Sequence, residues 1–323
     1  MLKEFFKDDT ILVTGASGLV GRNLFELLKK ENCNVIGTYL ENEREELTKC
    51  DLTKYKEVET LIFKKNIRYV FMVAAKTYGA DVLKNNPSAM VMDTIAMNAN
   101  VLEASYKKQI FNIHNNVKKI LYISSSVVYQ HSFKPLVEDD LDWNQNPYHM
   151  YMGVGWVKRY IEKLCEFYHN LGMNINIIRP ANIYGKYDKY KEGKSHFIPA
   201  IVKRVLEKQN PLVIWGKGYN VKDVIYIDDF LRDMLDIFIN YDKVDAINVC
   251  AGKTYTIDEI VRTIIKVVGG NIQPTYDPTK PDSVPYKCLI KNKFETLFGK
   301  RKYITLEDGL KEVIKWLKQE LNI

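Results

Sequence analysis

Ile11-Leu12-Val13-Thr14-Gly15-Ala16-Ser17-Gly18-Leu19-Val20-Gly21 is an apolar run that ends in a glycine-spaced turn, and it continues into the helix-like Arg22-Asn23-Leu24-Phe25-Glu26-Leu27-Leu28. The stretch reads as strand, phosphate loop and helix. Gly15 permits the tight turn, Gly18 lets a pyrophosphate approach the backbone, and Gly21 lets the helix lie close to the strand with its N-terminus facing the phosphates. Ser17, Leu19 and Val20 are further cofactor contacts in the same loop. The spacing is G-x-x-G-x-x-G rather than G-x-G-x-x-G, and three glycines also suit a plain strand-to-helix turn. Their place directly behind the first apolar strand points to a dinucleotide, NADP or NAD.

The 323 residues are 46% hydrophobic, enough for a large α/β unit with an added lobe. A formal charge of +7 is spread along the chain without a basic block interleaved with aromatics. This argues against nucleic acid, and either a small anionic ligand or ordinary solvated lysines account for it. Cys33, Cys50, Cys165, Cys250 and Cys288 are scattered and never form a CxxC pair, against both a disulfide framework and a zinc site. No apolar run reaches membrane-span length, and Met1-Leu2-Lys3-Glu4 does not begin a signal peptide. A reducing cytoplasm is expected.

Outward from the loop, Cys33 to Tyr39 reads as the second strand, whose tip meets an adenosine ribose. No acid follows until Glu41, and Arg44 lies close behind, so NADP is favoured over NAD. Asp51 and Leu52 are placed beside the adenine, although Asp51 equally suits an N-cap for a helix from Lys54 to Lys64. Tyr69 to Lys76 reads as a buried parallel strand whose end, Ala74-Ala75-Lys76, lies against the cofactor. A long helix is expected from about Pro87 to Tyr106. Lys118 to Tyr129 holds the next strand, with Ser124, Ser125 and Ser126 crowded at the edge where ligands bind open α/β sheets. A helix from Met152 to Tyr168 precedes the strand Ile175 to Pro180. Beyond Pro180 the composition turns basic and loop-rich. The expected architecture is therefore α/β, a Rossmann-type doubly wound parallel sheet with a smaller C-terminal substrate-binding lobe. The cofactor lobe takes residues 1–180 and about 217–245, and the second lobe takes 181–216 and about 246–323.

Assembled, these segments resemble the extended short-chain dehydrogenase/reductases that act as nucleotide-sugar epimerases and dehydratases, and most of all their GDP-L-fucose synthase branch. Thr14 to Gly21 matches the cofactor loop, and Ser124-Ser125-Ser126-Val127-Val128-Tyr129 matches an S-S-x-x-Y segment whose catalytic serine falls on Ser125. Gly193-Lys194-Ser195-His196-Phe197-Ile198-Pro199-Ala200 is similar to N-S-H-x-I-P-A, which puts the catalytic histidine at His196. Val213 to Gly218, Val224 to Asp229 and Thr279 to Lys287 resemble V-x-W-G-x-G, F-x-x-V-D-D and K-P-D-G-x-x-R-K. The resemblance implies a nucleotide-linked substrate, GDP-linked by the last segments, held by Ser126, Asn182, Arg204, Trp215, Lys222 and Lys287. Lys222 stands where relatives carry an arginine, keeping the charge without the bidentate fork. Pro180 borders the cofactor. A homodimer is also implied, a four-helix bundle built from the two long helices.

The departures fall on the chemistry. Lys163-Leu164-Cys165-Glu166 fixes the lysine of the family's Y-x-x-x-K pair at Lys158, and four residues earlier stands Val154. The spacing from Ser125 agrees. Valine cannot give or take a proton, so Tyr151, a more distant Tyr148, or water inherits that role. Val127 occupies the position of an epimerisation cysteine or a dehydratase glutamate. The catalytic set is thus Ser125, Lys158, Tyr151 and His196. The readings left are reduction of a 4-keto sugar at C4, a 4,6-dehydratase with retained cofactor, and a binding protein without turnover.

Overall fold

The computed structural model describes residues 2–76, 86, 88, 90–111, 115–191, 195–269, 271–280 and 283–323. Pro87, Gly193, Lys194, Pro281 and Asp282, all within segments read above, lie outside the described residues. Helix α1 (Leu2–Phe6), strand β1 (Thr10–Val13) and helix α2 (Leu19–Lys30) open the chain, so the first stretch does fold as strand, loop and helix. Next come β2 (Val35–Tyr39), β3 (Thr48–Lys49), α3 (Tyr55–Lys64), β4 (Ile67–Met72), α4 (Val91–Phe111), β5 (Lys119–Ile123), α5 (Met152–Asn170) and β6 (Ile175–Pro180). The remainder runs β7 (Asn182–Tyr184), α6 (Phe197–Leu206), β8 (Leu212–Trp215), β9 (Val221–Tyr226), α7 (Ile227–Asn240) and β10 (Ile247–Val249). It ends β11 (Thr254–Thr256), α8 (Ile257–Val268), β12 (Pro274–Asp277), β13 (Tyr286–Lys287), α9 (Asn292–Phe298) and α10 (Leu306–Leu321).

Seven strands lie parallel in the order β10-β6-β5-β4-β1-β2-β3. β1 is buried along its whole length because both faces are covered, which is why its sequence is continuously apolar. Ile11 and Val13 join the core with Leu24, Leu28 and Phe230, whereas Leu12 joins Val58, Ile62 and Val101 on the opposite face. The strand order reverses between β1 and β4. Such a reversal opens a crevice beyond the carboxyl ends of the strands, and that crevice is where ligands bind.

Three expectations shift. β4 stops at Met72 rather than running to Lys76, because the amides of Val73 and Ala74 turn aside to the Thr14 hydroxyl. α4 is described from Val91 and runs on to Phe111. The lobe boundaries also differ: β9 pairs with β7, β11 and β13 in a smaller sheet, while β10 pairs with β6 and extends the large one. A three-residue strand such as β10 has no periodicity to reveal its sheet, and only its pairing with Ile178, Arg179 and Pro180 does so. One apolar core runs through both lobes, from Phe6 and Val13 through Ile225 and Phe230 to Val313 and Leu317. Among the described residues no helix is long and apolar enough to cross a membrane.

Candidate active site

The cradle at the head of the crevice is built from backbone. Gly15 turns with φ 66°, in the left-handed region that suits glycine. The Thr14 hydroxyl accepts the amides of Val73 at 2.9 Å and Ala74 at 3.0 Å, and Gly15 N donates to Thr38 Oγ1 at 3.1 Å. The loop is thereby tied to the ends of β4 and β2. A Cβ on Gly15 would lie 2.8 Å from Ala74 Cα, and one on Gly21 would lie 2.3 Å from the Gly15 carbonyl oxygen. Gly18 is the N-cap of α2, with no side chain capping it and no acid in the first turn. An uncapped helix start with open backbone in front accepts a pyrophosphate, so these residues fit a dinucleotide.

Around this cradle, Ala75 is exposed and Lys76 pairs with Asp93. Asp51 accepts the hydroxyl and amide of Thr53 at 2.7 and 3.1 Å, bonds that hold its carboxyl below the usual carboxylate range. α3 begins at Tyr55 with Lys54 as N-cap, so Asp51 closes the preceding turn and does not cap the helix. Leu52 is buried beside it. Burial, with the Arg22 charge adding, lowers the pKa of Arg44.

At the end of β5 the three serines part company. Ser124 donates to Glu162, whose carboxylate takes Arg179 Nε at 3.1 Å and Nη2 at 2.8 Å. Arg179 also donates to the Tyr129 hydroxyl, which donates to Asn248 at 2.7 Å. All five side chains are buried. Ser125 instead caps a single 3-10 turn, Ser126–Val128, accepting Val127 N at 3.3 Å. Ser126 Oγ is buried and has no hydrogen-bond partner among the described residues.

Lys158 comes to the same place from α5. Its buried face carries Lys158, Ile161, Glu162 and Cys165 at helical spacing. Lys158 Nζ donates to the Ile123 carbonyl at 2.8 Å and lies 4.9 Å from the centre of the Tyr122 ring. Burial pushes its pKa down to about 8, against the pull of Glu162. Val154 is one turn earlier and half-buried. A Cβ on the next residue, Gly155, would meet Pro147 at 2.6 Å and the Val127 carbonyl at 2.7 Å, so the first turn of α5 presses directly on the serine turn.

Beside this junction is a small open cleft of about 30 Å³, lined among others by Ser126, Val127, Tyr148, Tyr151, Tyr286 and Lys287. Tyr151 is not within α5. It ends the one-turn 3-10 helix His149–Tyr151 and caps α5, just ahead of the helix expected from Met152. Burial, with Tyr148 adding, pushes its phenol up to about 12. Lys287 Nζ lies 5.3 Å from the centre of the Tyr151 ring, and burial pushes that ammonium down to about 8.

The other expected ligand contacts are spread through the smaller lobe. Asn182 donates to the Asp223 carbonyl at 2.7 Å, and Arg204 donates to the Val213 carbonyl at 2.7 Å and to Gln209. Lys222 is buried and donates to the Val284 carbonyl. Trp215 is exposed at the end of β8, and Pro180 is buried at the end of β6. None of these lines the cleft that holds Tyr151. His196 caps α6, and its Nδ1 meets Asp188 Oδ1 at 2.7 Å. Asp188 and the pair Glu162–Arg179 were missed in the sequence. For Glu162 a signal existed, an acid one turn beyond Lys158 on an otherwise apolar helix face.

The NAD dependent epimerase/dehydratase family matches residues 11–250. A GDP-L-fucose synthase of Sinorhizobium fredii is 29% identical over 307 residues, covering 93% of this chain and 92% of its own. Among solved structures, a GDP-L-fucose synthetase of Naegleria fowleri bound to NADP has a TM-score of 0.82 at 24% identity, covering 98% of this chain and 95% of its own. A GDP-6-OMe-4-keto-L-xylo-heptose reductase from C. jejuni reaches 0.85 at 23%, covering 97% and 98%.

Proposed function

This chain belongs to the NAD dependent epimerase/dehydratase family, and from that premise we propose that it reduces a GDP-linked 4-keto hexose at C4 with NADPH. The observation that carries the reduction is the place of Tyr151, whose phenol lines the cleft at the junction of the serine turn and α5. Burial keeps that phenol protonated at working pH, and a protonated phenol can give a carbonyl oxygen the proton that reduction needs. It shares its cleft with Ser126 and Lys287. The GDP-linked class and the 4-keto position follow the printed names of the relatives, several of which are synthases or reductases of GDP-sugars. NADPH is favoured by Arg44 close behind β2, which suits a 2'-phosphate, and by the lack of an acid before Glu41 at the tip of that strand.

A bound dinucleotide would supply the hydride for C4. The protein's own groups do the rest. The uncapped start of α2 would hold the pyrophosphate, and the Lys158 ammonium would donate to the nicotinamide ribose. Ser125 donates to the C4 oxygen, and Tyr151 gives that oxygen its proton as the carbonyl becomes an alcohol. Ser126, Asn182, Arg204, Trp215, Lys222 and Lys287 hold the nucleotide and sugar, with His196 as a second proton-carrying group. In this reading Val154 replaces the family's tyrosine. Val127 offers the cleft no titratable group, which disfavours water elimination and full epimerisation.

We also infer a homodimer. α4 and α5 pack together, and Met92, Phe111, Tyr160 and Phe167 of these helices are all more than half exposed or at the halfway mark, at 71%, 74%, 50% and 54%. The free cysteines, all buried, suit the cytoplasmic placement. The test of the reaction is oxidation of NADPH followed at 340 nm with GDP-4-keto-6-deoxymannose, with the product identified by mass. Turnover that falls by about 10²-fold or more in Tyr151→Phe, and is partly recovered by adding Val154→Tyr, is the expected result. Full activity in Tyr151→Phe would overturn the assignment of the donor, and no turnover at all would overturn the reaction.

A further inference from the structure

We propose that the basin between the turn after β10 and the loop joining α9 to α10 is a second ligand site, one that takes a small phosphate ester. Its volume of about 440 Å³ is within the usual range for small-molecule sites, and it shares no lining residue with the cleft at Tyr151. None of the residues given above to dinucleotide, nucleotide or sugar lines it either. Its charged lining is cationic, Lys253, Lys291, Arg301 and Lys302, set among tyrosines that include Tyr255 and Tyr303. Among the described residues no carboxylate lines it. Cations that converge on a concave surface with low-dielectric walls reinforce one another's potential and draw in an anion, which the same lysines spread over a convex surface would not do.

Two of the four cations are fixed as a frame. Gly252 turns with φ 72°, and a Cβ there would lie 3.1 Å from Lys291 Cε, so the glycine leaves room for that side chain. Lys291 Nζ donates to the Ala251 carbonyl at 3.0 Å, pairs with Glu295 at 3.5 Å and lies 3.9 Å from the centre of the Tyr303 ring. Arg301 pairs with Asp233 at 3.1 Å and Asp236 at 2.6 Å. The Tyr303 hydroxyl donates to Asp233 at 2.7 Å and Ile304 N to Asp229 at 2.6 Å, so α7 holds the loop through three of its acids. These acids and Glu295 offset the charge of Arg301 and Lys291. Lys253 and Lys302 carry what is left. Both are exposed, and among the described residues neither ammonium makes a hydrogen bond or an ion pair, so neither has to leave an acid to meet a ligand. Asp223, next in the chain to the lining residue Val224, is fully buried, and burial pushes its carboxyl up to about 7, so near neutrality it brings less than a full negative charge. A phosphate monoester carries roughly two negative charges at that pH and matches the two uncommitted ammonium groups.

The test is lysine acetylation footprinting of the NADP-loaded protein, read by mass spectrometry, with glucose 1-phosphate, AMP and inorganic phosphate as probes. Loading with NADP keeps AMP out of the dinucleotide cradle. With a probe at about ten times its Kd, Lys253 and Lys302 should be acetylated about tenfold more slowly, while Lys315, exposed on α10, keeps its rate. Protection by glucose 1-phosphate alone assigns a sugar phosphate, protection by AMP alone a nucleotide, and equal protection by all three assigns recognition to the phosphate itself. Calorimetric titration of Lys253→Glu with Lys302→Glu should then show affinity for the protecting probe lower by about tenfold or more, with NADP affinity unchanged, and the pair of Gln variants should fall between. Lys253 and Lys302 left unprotected by every probe at about 10 mM overturns the proposal, and that reading needs no variant to fold. Equal probe affinity in the wild type and the doubly reversed variant also overturns it. Neither reading depends on the reaction at C4.

Discussion

Lys158 carries a charge into a site that resists it. Its ammonium has one backbone carbonyl and one ring face for company, and burial draws its pKa down to about 8. An unfolded lysine titrates near 10.4. Between those values the folded protein binds fewer protons than the unfolded chain, so this group's unfavourable contribution is relieved as pH rises from about 8 toward about 10.4. Function runs the other way. Once the ammonium is lost, no positive charge remains to hold a ribose hydroxyl, so NADPH affinity should weaken above about pH 8, measured by fluorescence titration across pH 6.5 to 9.5 on the scale set by that group. Lys158→Arg, charged throughout, should flatten the alkaline limb even if its affinity is lower. An affinity that stays level across the range in the wild type would remove Lys158 from the ribose.

At the scale of elements, β5, α5, β6 and β10 are joined beneath the serine turn by Ser124, Glu162, Arg179, Tyr129 and Asn248. Arg179 is strongly committed to its charged form by Glu162, which outweighs the burial that opposes it. Removing the acid leaves a buried guanidinium uncompensated, at a cost of roughly 3–5 kcal/mol. Glu162→Ala should therefore lower the urea midpoint by that equivalent with the slope unchanged, and Glu162→Gln should lose less. A midpoint equal to the wild type would mean that Arg179 finds another partner. Most elements of the large sheet were legible in the sequence because each carries a strong local pattern, which β3 and β10, two and three residues long, do not. β1 is apolar on both faces, α2 follows a glycine turn, and α5 repeats at helical spacing. The smaller sheet was not legible, since β7, β11 and β13 are two or three residues long and meet β9 across separations of some 30 to 65 positions. Asp188 was hidden for a related reason: in Tyr187-Asp188-Lys189-Tyr190-Lys191 it looks like any loop acid, and only folding brings it to His196.

For the whole molecule, the outward aromatic residues of α4 and α5 imply a partner surface. Tyr160→Glu with Phe167→Glu should convert a dimer to a monomer by light scattering, without loss of the fold by circular dichroism; a wild type that is monomeric at micromolar concentration would refute the dimer. The continuous core has a different consequence. Because the same apolar cluster runs from Val13 of the cofactor lobe to Leu317 of the last helix, the smaller lobe shares its hydrophobic interior with the larger one and has none to retain when the larger opens. Heating should then give one calorimetric peak whose van't Hoff and calorimetric enthalpies agree, not two. A dinucleotide bound only at the glycine loop would stiffen the entire chain against heat: NADPH at 100 times its Kd should move that single peak upward by the equivalent of about 2.7 kcal/mol. The grip on the cofactor becomes a grip on the fold.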